Sequence, residues 1–186
     1  MRPAKLAERQ VLRKLTDVFR ERGYEGASYA QLMAATGLVK ASLYHRFPSG
    51  KEEIADAILA QTDQKFAEDV LRAAREAGQP RARARRIARR LREFYGSGTR
   101  WCLLDTLTLA SGTKTLAHAK RSMKFWVDSL ARVGRGSGLP SSLARQRAED
   151  AVAAIEGGLI VSRVMKNRQP FLRALAELPD RLTKTK

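Results

Sequence analysis

Residues 28–51 read SYAQLMAATGLVKASLYHRFPSGK. The spacing of apolar and helix-stopping residues in this stretch predicts two short helices joined by a tight turn, then the start of a third. Ser28 followed by Gln31 is a capping box, which starts a helix there and turns Leu32, Met33 and Ala35 toward a core. Gly37 stops it. Beyond the turn, Leu38, Leu43 and Phe47 form the apolar face of the second helix. Lys40, Ser42, Tyr44 and His45 are left on other faces, and all four side chains donate hydrogen bonds. Pro48 ends that helix. Ser49 with Glu52 reads as a second capping box, placing Lys51 in the first turn of a long third helix. A cation there opposes the helix dipole, a placement that makes sense if the helix N-terminus and the ammonium both face a phosphate. The whole is a helix-turn-helix pattern.

Upstream, residues 3–22 form an amphipathic helix whose stripe is Leu6, Val11, Leu15, Val18 and Phe19, capped by Gly23. Arg2, Lys5, Arg9 and Arg13 lie near its start, as phosphate contacts or as solvated charges. Downstream, residues 51–77 present Ile54, Ile58, Thr62, Phe66 and Val70 on one face of a long helix that stops at Gly78 and Pro80.

Phe19, Gly23, Tyr24, Ser28, Leu32, Gly37, Leu43, Tyr44, Phe47 and Lys51 together resemble the DNA-binding region of TetR-family transcriptional regulators. Ala27 stands where a threonine is common, Val39 replaces the usual serine, and Gly50 is an extra residue before the lysine. The form LYHRFPSGKEE is similar to the LmrA/YxaF branch. The resemblance implies double-stranded operator DNA as a partner, contacted by Ser28, Lys40, Ser42, Tyr44, His45 and Lys51. It also implies a larger C-terminal domain reached through the 51–77 helix, whose tilt a ligand changes.

The 186-residue chain is 44% apolar, enough for a packed core. Ala, Leu, Arg and Glu recur at helical spacing without alternating β-branched runs, so the class is all-α with about nine helices. The expected architecture is an N-terminal three-helix helix-turn-helix DNA-binding domain, residues 1–50, joined to a helical ligand-binding and dimerisation domain, residues 51–186. No stretch approaches the ~20 apolar residues of a membrane span, and MRPAKLAERQ lacks a signal-peptide hydrophobic region, so a cytoplasmic protein is expected. Cys102 is the single cysteine, and His45 and His118 lack clustered ligands, so neither a metal nor another cofactor is expected.

The net charge is +17, spread along the chain. Residues 1–50 carry nine Lys and Arg against four Asp and Glu, and residues 51–78 carry four against seven. Residues 79–98 carry seven against one, and residues 99–186 sixteen against seven. Such a field helps a protein find nucleic acid. The arginine-rich segment 81–95 also has an apolar stripe, Ala84, Ile87, Leu91 and Phe94, and reads as a packed helix with a solvated basic face.

Residues 99–111 are apolar nearly all round, the mark of a helix with neighbours on every side, and Gly112 closes them. Residues 114–135 carry the stripe Leu116, Ala119, Met123, Trp126, Val127, Leu130 and Val133. Trp101, Cys102, Met123, Phe125 and Trp126 either pack or line an apolar cavity for a small-molecule effector. Asp105 and Glu156 are carboxylates in apolar stretches that need partners, either internal arginines or polar groups of that effector. Residues 142–166 show two apolar faces. Val152, Ile155 and Leu159 form one; Ala151, Ala154, Gly158, Val161 and Met165 form another that needs a partner. Adjacent Gly157 and Gly158 each cost about 1 kcal/mol in a helix interior, so close helix approach in a homodimer is expected. Phe171 and Leu175, on a last helix begun by Pro170, join that interface.

The expected function is a homodimeric repressor released from a pseudo-palindromic operator by a small, largely apolar effector. The alternative is a constitutive or architectural DNA-binding protein without an effector. An enzyme is not expected, since no nucleophile is paired with a base and no glycine-rich phosphate loop precedes a helix.

Overall fold

The computed structural model describes residues 8–108 and 113–184, with the side chains of residues 108 and 113 left aside. Among the described residues there are nine α-helices and no strand. They divide into two compact units, one built from residues 1–63 and 103–120, the other from 64–102 and 121–186.

The first unit holds α1 (Glu8–Gly26), α2 (Tyr29–Thr36), α3 (Lys40–Arg46), the larger part of α4 (Lys51–Asp69), α6 (Leu103–Thr108) and the start of α7 (Thr113–Gly136). The expected stripe of α1 buries Val11, Leu15 and Phe19, with Val18 half-buried; Arg2, Lys5 and Leu6 lie outside the described residues. Gly23 kinks the helix rather than ending it, because its φ of 68° is available to glycine at little cost. The shared core joins Leu15, Phe19, Leu32, Leu43 and Phe47 to Ile54, Ile58 and Leu59 of α4, to Leu103 and Leu107 of α6, and to Ala119 of α7. A cut at residue 50 would therefore strip side chains from the core that supports α2 and α3. Hydrogen bonds tie α4 to α7: Thr115 donates to Asp56 at 2.8 Å, and His118 meets Asp63 at 3.0 Å. Thr115 takes the inward position at this end of α7, which leaves Leu116 52% exposed rather than in the expected buried stripe.

The second unit holds a 3-10 turn at Leu71–Ala74, α5 (Pro80–Phe94), most of α7, α8 (Ser141–Val164) and α9 (Gln169–Thr183). Ala84, Ile87 and Leu91 are buried as the stripe of α5 requires. Its basic side chains are not all solvated. Arg83 donates to the Ala74 carbonyl at 3.2 Å and Arg86 to that of Ala77 at 2.8 Å, while Arg86 and Arg90 clamp Glu76 at 3.0 and 2.7 Å. Three of the seven arginines thus fasten α5 to the turn before it. The hydrogen bond from Arg90, with the charges of Arg90, Arg86 and Arg72, holds the Glu76 carboxyl below its ordinary range.

Candidate nucleic-acid interface

The frame of the reader follows from local chemistry. Ser28 caps α2: its Oγ accepts from the Gln31 N–H at 3.4 Å, and its own N–H donates to Gln31 Oε1 at 3.0 Å, the expected capping box. Gly37 turns left-handed at φ 72° and donates its N–H to the Met33 carbonyl at 2.8 Å. The buried Thr36 hydroxyl donates to the Leu32 carbonyl at 2.7 Å. Val39 stands at the N-cap of α3 with no side-chain hydrogen bond and is 63% exposed. Leu43 and Phe47 are buried, so α3 is held by one face while its polar residues turn outward. At the start of α4 the Ser49 N–H donates to Glu53 at 2.7 Å, so the capping carboxylate is Glu53 and not the expected Glu52.

Of the expected DNA-contacting residues, Lys40, Tyr44 and His45 are exposed, and Ser42 is half-buried. Ser28 is exposed, but its hydroxyl is engaged as a cap. Tyr44 stacks on Tyr29 with ring centroids 5.2 Å apart at 13°, and the Lys40 ammonium lies 5.7 and 5.8 Å from the two rings. Lys51 sits half-buried in the first turn of α4, its ammonium 4.5 Å from the Tyr24 ring. Its place at a helix N-terminus therefore has a local partner as well as a potential phosphate. Burial, then the charges of Glu52, Glu25 and Asp56, raises the Tyr24 phenol. Burial, with the neighbouring Tyr44 side chain, pushes the Tyr29 phenol up to about 12.

The expected effector residues do not fall in one unit. Asp105 belongs to the first, on α6; Trp101, Cys102, Met123, Trp126 and Glu156 belong to the second. Trp101 and Cys102 precede α6 rather than lying in a helix over 99–111, and Gly112 lies outside the described residues. The Arg163 guanidinium sits 5.4 Å from the Trp101 ring. Cys102 is buried, and the Tyr95 hydroxyl donates to its sulfur at 3.7 Å. Asp105 and Glu156 are half-buried, and neither carboxylate is free. Trp126 is 2% exposed and meets Phe66 edge-on at 5.2 Å; its Nε1–H finds no acceptor among the described residues. Phe66, Phe94, Tyr95 and Phe171 continue the aromatic cluster through edge contacts of 5.1 to 6.4 Å.

The expected dimer face needs correction. Ala151, Gly158, Phe171 and Leu175 are buried within the chain itself. A Cβ on Gly158 would lie 3.0 Å from the Phe171 Cα and 3.2 Å from the Pro170 carbonyl, so this glycine serves the approach of α8 to its own α9. Ser162 Oγ accepts the Phe171 N–H at 3.2 Å beside it. Ala154 is half-buried. Val161 and Met165 are exposed as expected, and with Ile160 and Val164 they form an apolar stripe at 40 to 71% exposure. Exposed Ala153 and the neighbouring Gly157, whose Cβ would meet nothing within 4 Å, extend the stripe at helical spacing.

Residues 11–58, the whole reader and the start of α4, match the family model described as bacterial regulatory proteins, tetR family. Residues 80–177 match that of the transcriptional regulator LmrA/YxaF-like C-terminal domain, which spans more than half of the chain. The chain belongs to the TetR family of transcriptional regulators, in its LmrA/YxaF-like branch. It is 25% identical to the HTH-type transcriptional regulator LmrA of Bacillus subtilis, covering 93% of this chain and 95% of that protein. It is 24% identical to the YxaF regulator of the same organism, over 91% and 92% of the two chains. Among solved structures, a TetR regulator from Legionella pneumophila superposes with a TM-score of 0.85 at 19% identity, covering 99% of this chain and 100% of that one. A cysteine mutant of the regulator CifR, complexed with a 26-bp operator DNA, superposes at 0.75 with 21% identity, over 96% and 98% of the chains.

As a TetR-family regulator the chain binds DNA through its helix-turn-helix. No helix among its described residues is long and apolar enough to cross a membrane. Sequence reasoning missed Tyr29 in the reader, because an aromatic residue just after an N-cap reads as helix filler. It missed Phe66 and Tyr95 around Trp126 because they come from three separate elements, and on α8 it included the buried Ala151 and Gly158 in the exposed face while missing Ile160 and Val164.

Proposed function

We propose that this regulator is a homodimeric repressor that binds a pseudo-palindromic operator and is released by a small, largely apolar effector. The observation that carries the reading is the apolar stripe of α8, with Val164 71% and Met165 68% exposed. Contiguous apolar surface on a helix is costly in water and is covered when a second copy docks along it. A two-fold dimer presents two readers, and an operator matched to it repeats its half-site about 34 Å along the duplex. Lys40 and Ser42 are assigned to base edges in the major groove, and Tyr44 and Lys51 to phosphates. Ser28 and His45 flank them.

The effector part of the reading is supported by the buried Nε1–H of Trp126, a donor without an acceptor among the described residues. A buried donor left unmatched costs about 1–3 kcal/mol, which a ligand carrying an acceptor recovers. A constitutive DNA-binding protein has no need to keep that donor buried and unmatched. The reading is tested by reciprocal titration. Effector and operator must weaken each other by the same factor. A compound that releases DNA yet binds free and DNA-bound dimer equally well would refute release through the C-terminal unit. Sedimentation tests the dimer, and a monomer at micromolar concentration in moderate salt would count against it.

A further inference from the structure

The contacts around the reader single out a residue that itself faces little solvent. Tyr29 is the first residue of α2 and is half-buried, yet it touches both other parts of the reader. Its ring stacks on Tyr44 of α3 at 5.2 Å and 13°. Its hydroxyl lies against Gly50, the residue that precedes α4. The Lys40 ammonium lies over the same ring at 5.7 Å.

Gly50 supplies an independent observation. Its φ is +75°, and a Cβ there would lie 2.8 Å from the Tyr29 hydroxyl and 3.9 Å from Tyr44 Cε1. The additional glycine before Lys51 is thus the residue that leaves room for the tyrosine pair. A packing role alone would be met by any apolar side chain and would not require this clearance.

We propose that Tyr29 is a positioning residue of the DNA reader. It holds the Tyr44 ring and hydroxyl, with the Lys40 ammonium beside them, in the orientation that meets the duplex. It also sets that orientation against Gly50, just before α4. The proposal rests on the reading of Tyr44 and Lys40 as DNA contacts, and the experiment separates the two.

The probe is a fluorescein-labelled duplex carrying the site that the wild-type protein selects from a randomised pool. Tyr44→Phe, which removes the hydroxyl presented to the phosphate, is expected to weaken binding about tenfold. Tyr29→Leu, which removes the stack and the hydroxyl together, is expected to weaken it by a similar factor. In the Tyr44→Phe background the same Tyr29→Leu change should cost about twofold or less, because its effect passes through Tyr44. Tyr29→Phe keeps the stack and should bind more tightly than Tyr29→Leu. If Tyr29→Leu does not fold, Tyr29→Met, which keeps apolar volume but not the ring stack, replaces it, and the same coupling to Tyr44→Phe is expected.

An equal cost of the Tyr29 change in both backgrounds marks a structural role and overturns the proposal. If Tyr44→Phe weakens binding while Tyr29→Leu does not, the contact reading stands and the positioning role alone is refuted. If Tyr44→Phe binds like wild type, the contact reading is what fails, and the proposal falls with it.

Discussion

Gly157 and Gly158 are neighbours in the same helix, and the structure assigns opposite signs to the same substitution at the two. Replacing glycine by alanine inside a helix stabilises it by about 1 kcal/mol through backbone entropy. At Gly157 nothing lies within 4 Å of the added Cβ, so Gly157→Ala should keep that whole gain within the monomer. At Gly158 the added Cβ meets the Phe171 Cα at 3.0 Å, the Pro170 carbonyl at 3.2 Å and the Phe171 nitrogen at 3.3 Å. All three atoms are backbone, so no side chain can rotate away, and α8 must shift from α9. Overpacking of this kind costs about 1–3 kcal/mol, and the shift also stretches the Ser162 to Phe171 hydrogen bond, leaving a net loss near 1 kcal/mol. For a chain of this size the two variants should differ in thermal midpoint by roughly 4–8 °C, in opposite directions from wild type. Calorimetry at fixed protein concentration reads this directly. If Gly158→Ala raises the midpoint as much as Gly157→Ala does, the close approach of α8 and α9 is not as described. Sedimentation of the same two proteins adds a second reading. Gly157 borders the exposed stripe, so Gly157→Ala is expected to alter dimer affinity, whereas Gly158→Ala should affect it only through the fold.

Val164→Asp, at a position 71% exposed in the single chain, should leave helix content unchanged but weaken self-association at least tenfold; an unaltered dimer would place the interface elsewhere. Lys51→Ala should weaken binding to any duplex and reduce the salt slope by about one, while Lys40→Ala should relax sequence preference at one position of the half-site. Equal loss of specificity from both would reverse that assignment. Glu76→Gln should lower the thermal midpoint at neutral pH. Because the folded carboxyl is held below its ordinary range, its contribution is present above that range and is lost as pH falls through it, so the melting curves of variant and wild type should converge in acid. Curves that stay parallel down to low pH would show that Glu76 is not the group that matters.

The reader was legible in the sequence because its constraints are local. A cap, a left-handed glycine and a proline fix Ser28, Gly37 and Pro48 within a few residues of what they act on, and the structure reproduces the first two in detail. What failed to show was contact between distant segments. Gly158 advertised a close approach, but a helix periodicity of 3.6 residues does not say whether the approaching backbone belongs to a second copy or to the next helix. The arginines of α5 likewise looked solvated, since nothing in a run of charge announces that the Ala74 and Ala77 carbonyls and the Glu76 carboxylate, several residues upstream, fold back to meet Arg83, Arg86 and Arg90.

The same distinction bears on how a ligand could act. Tyr29 stacks α2 on α3 and lies against Gly50 before α4; Asp56 and Asp63, one and three turns along α4, hold it to Thr115 and His118 of α7. Leu103 and Leu107 share the core of Phe19 and Leu32. A helix held near its start and again at Asp56 and Asp63 cannot tilt independently of these neighbours without breaking hydrogen bonds and opening packed apolar surface. In the proposed mechanism the reader therefore moves as one body with α6 and the start of α7. Release in that mechanism then needs an effector that binds two states of the protein unequally, and no rearrangement inside the reader.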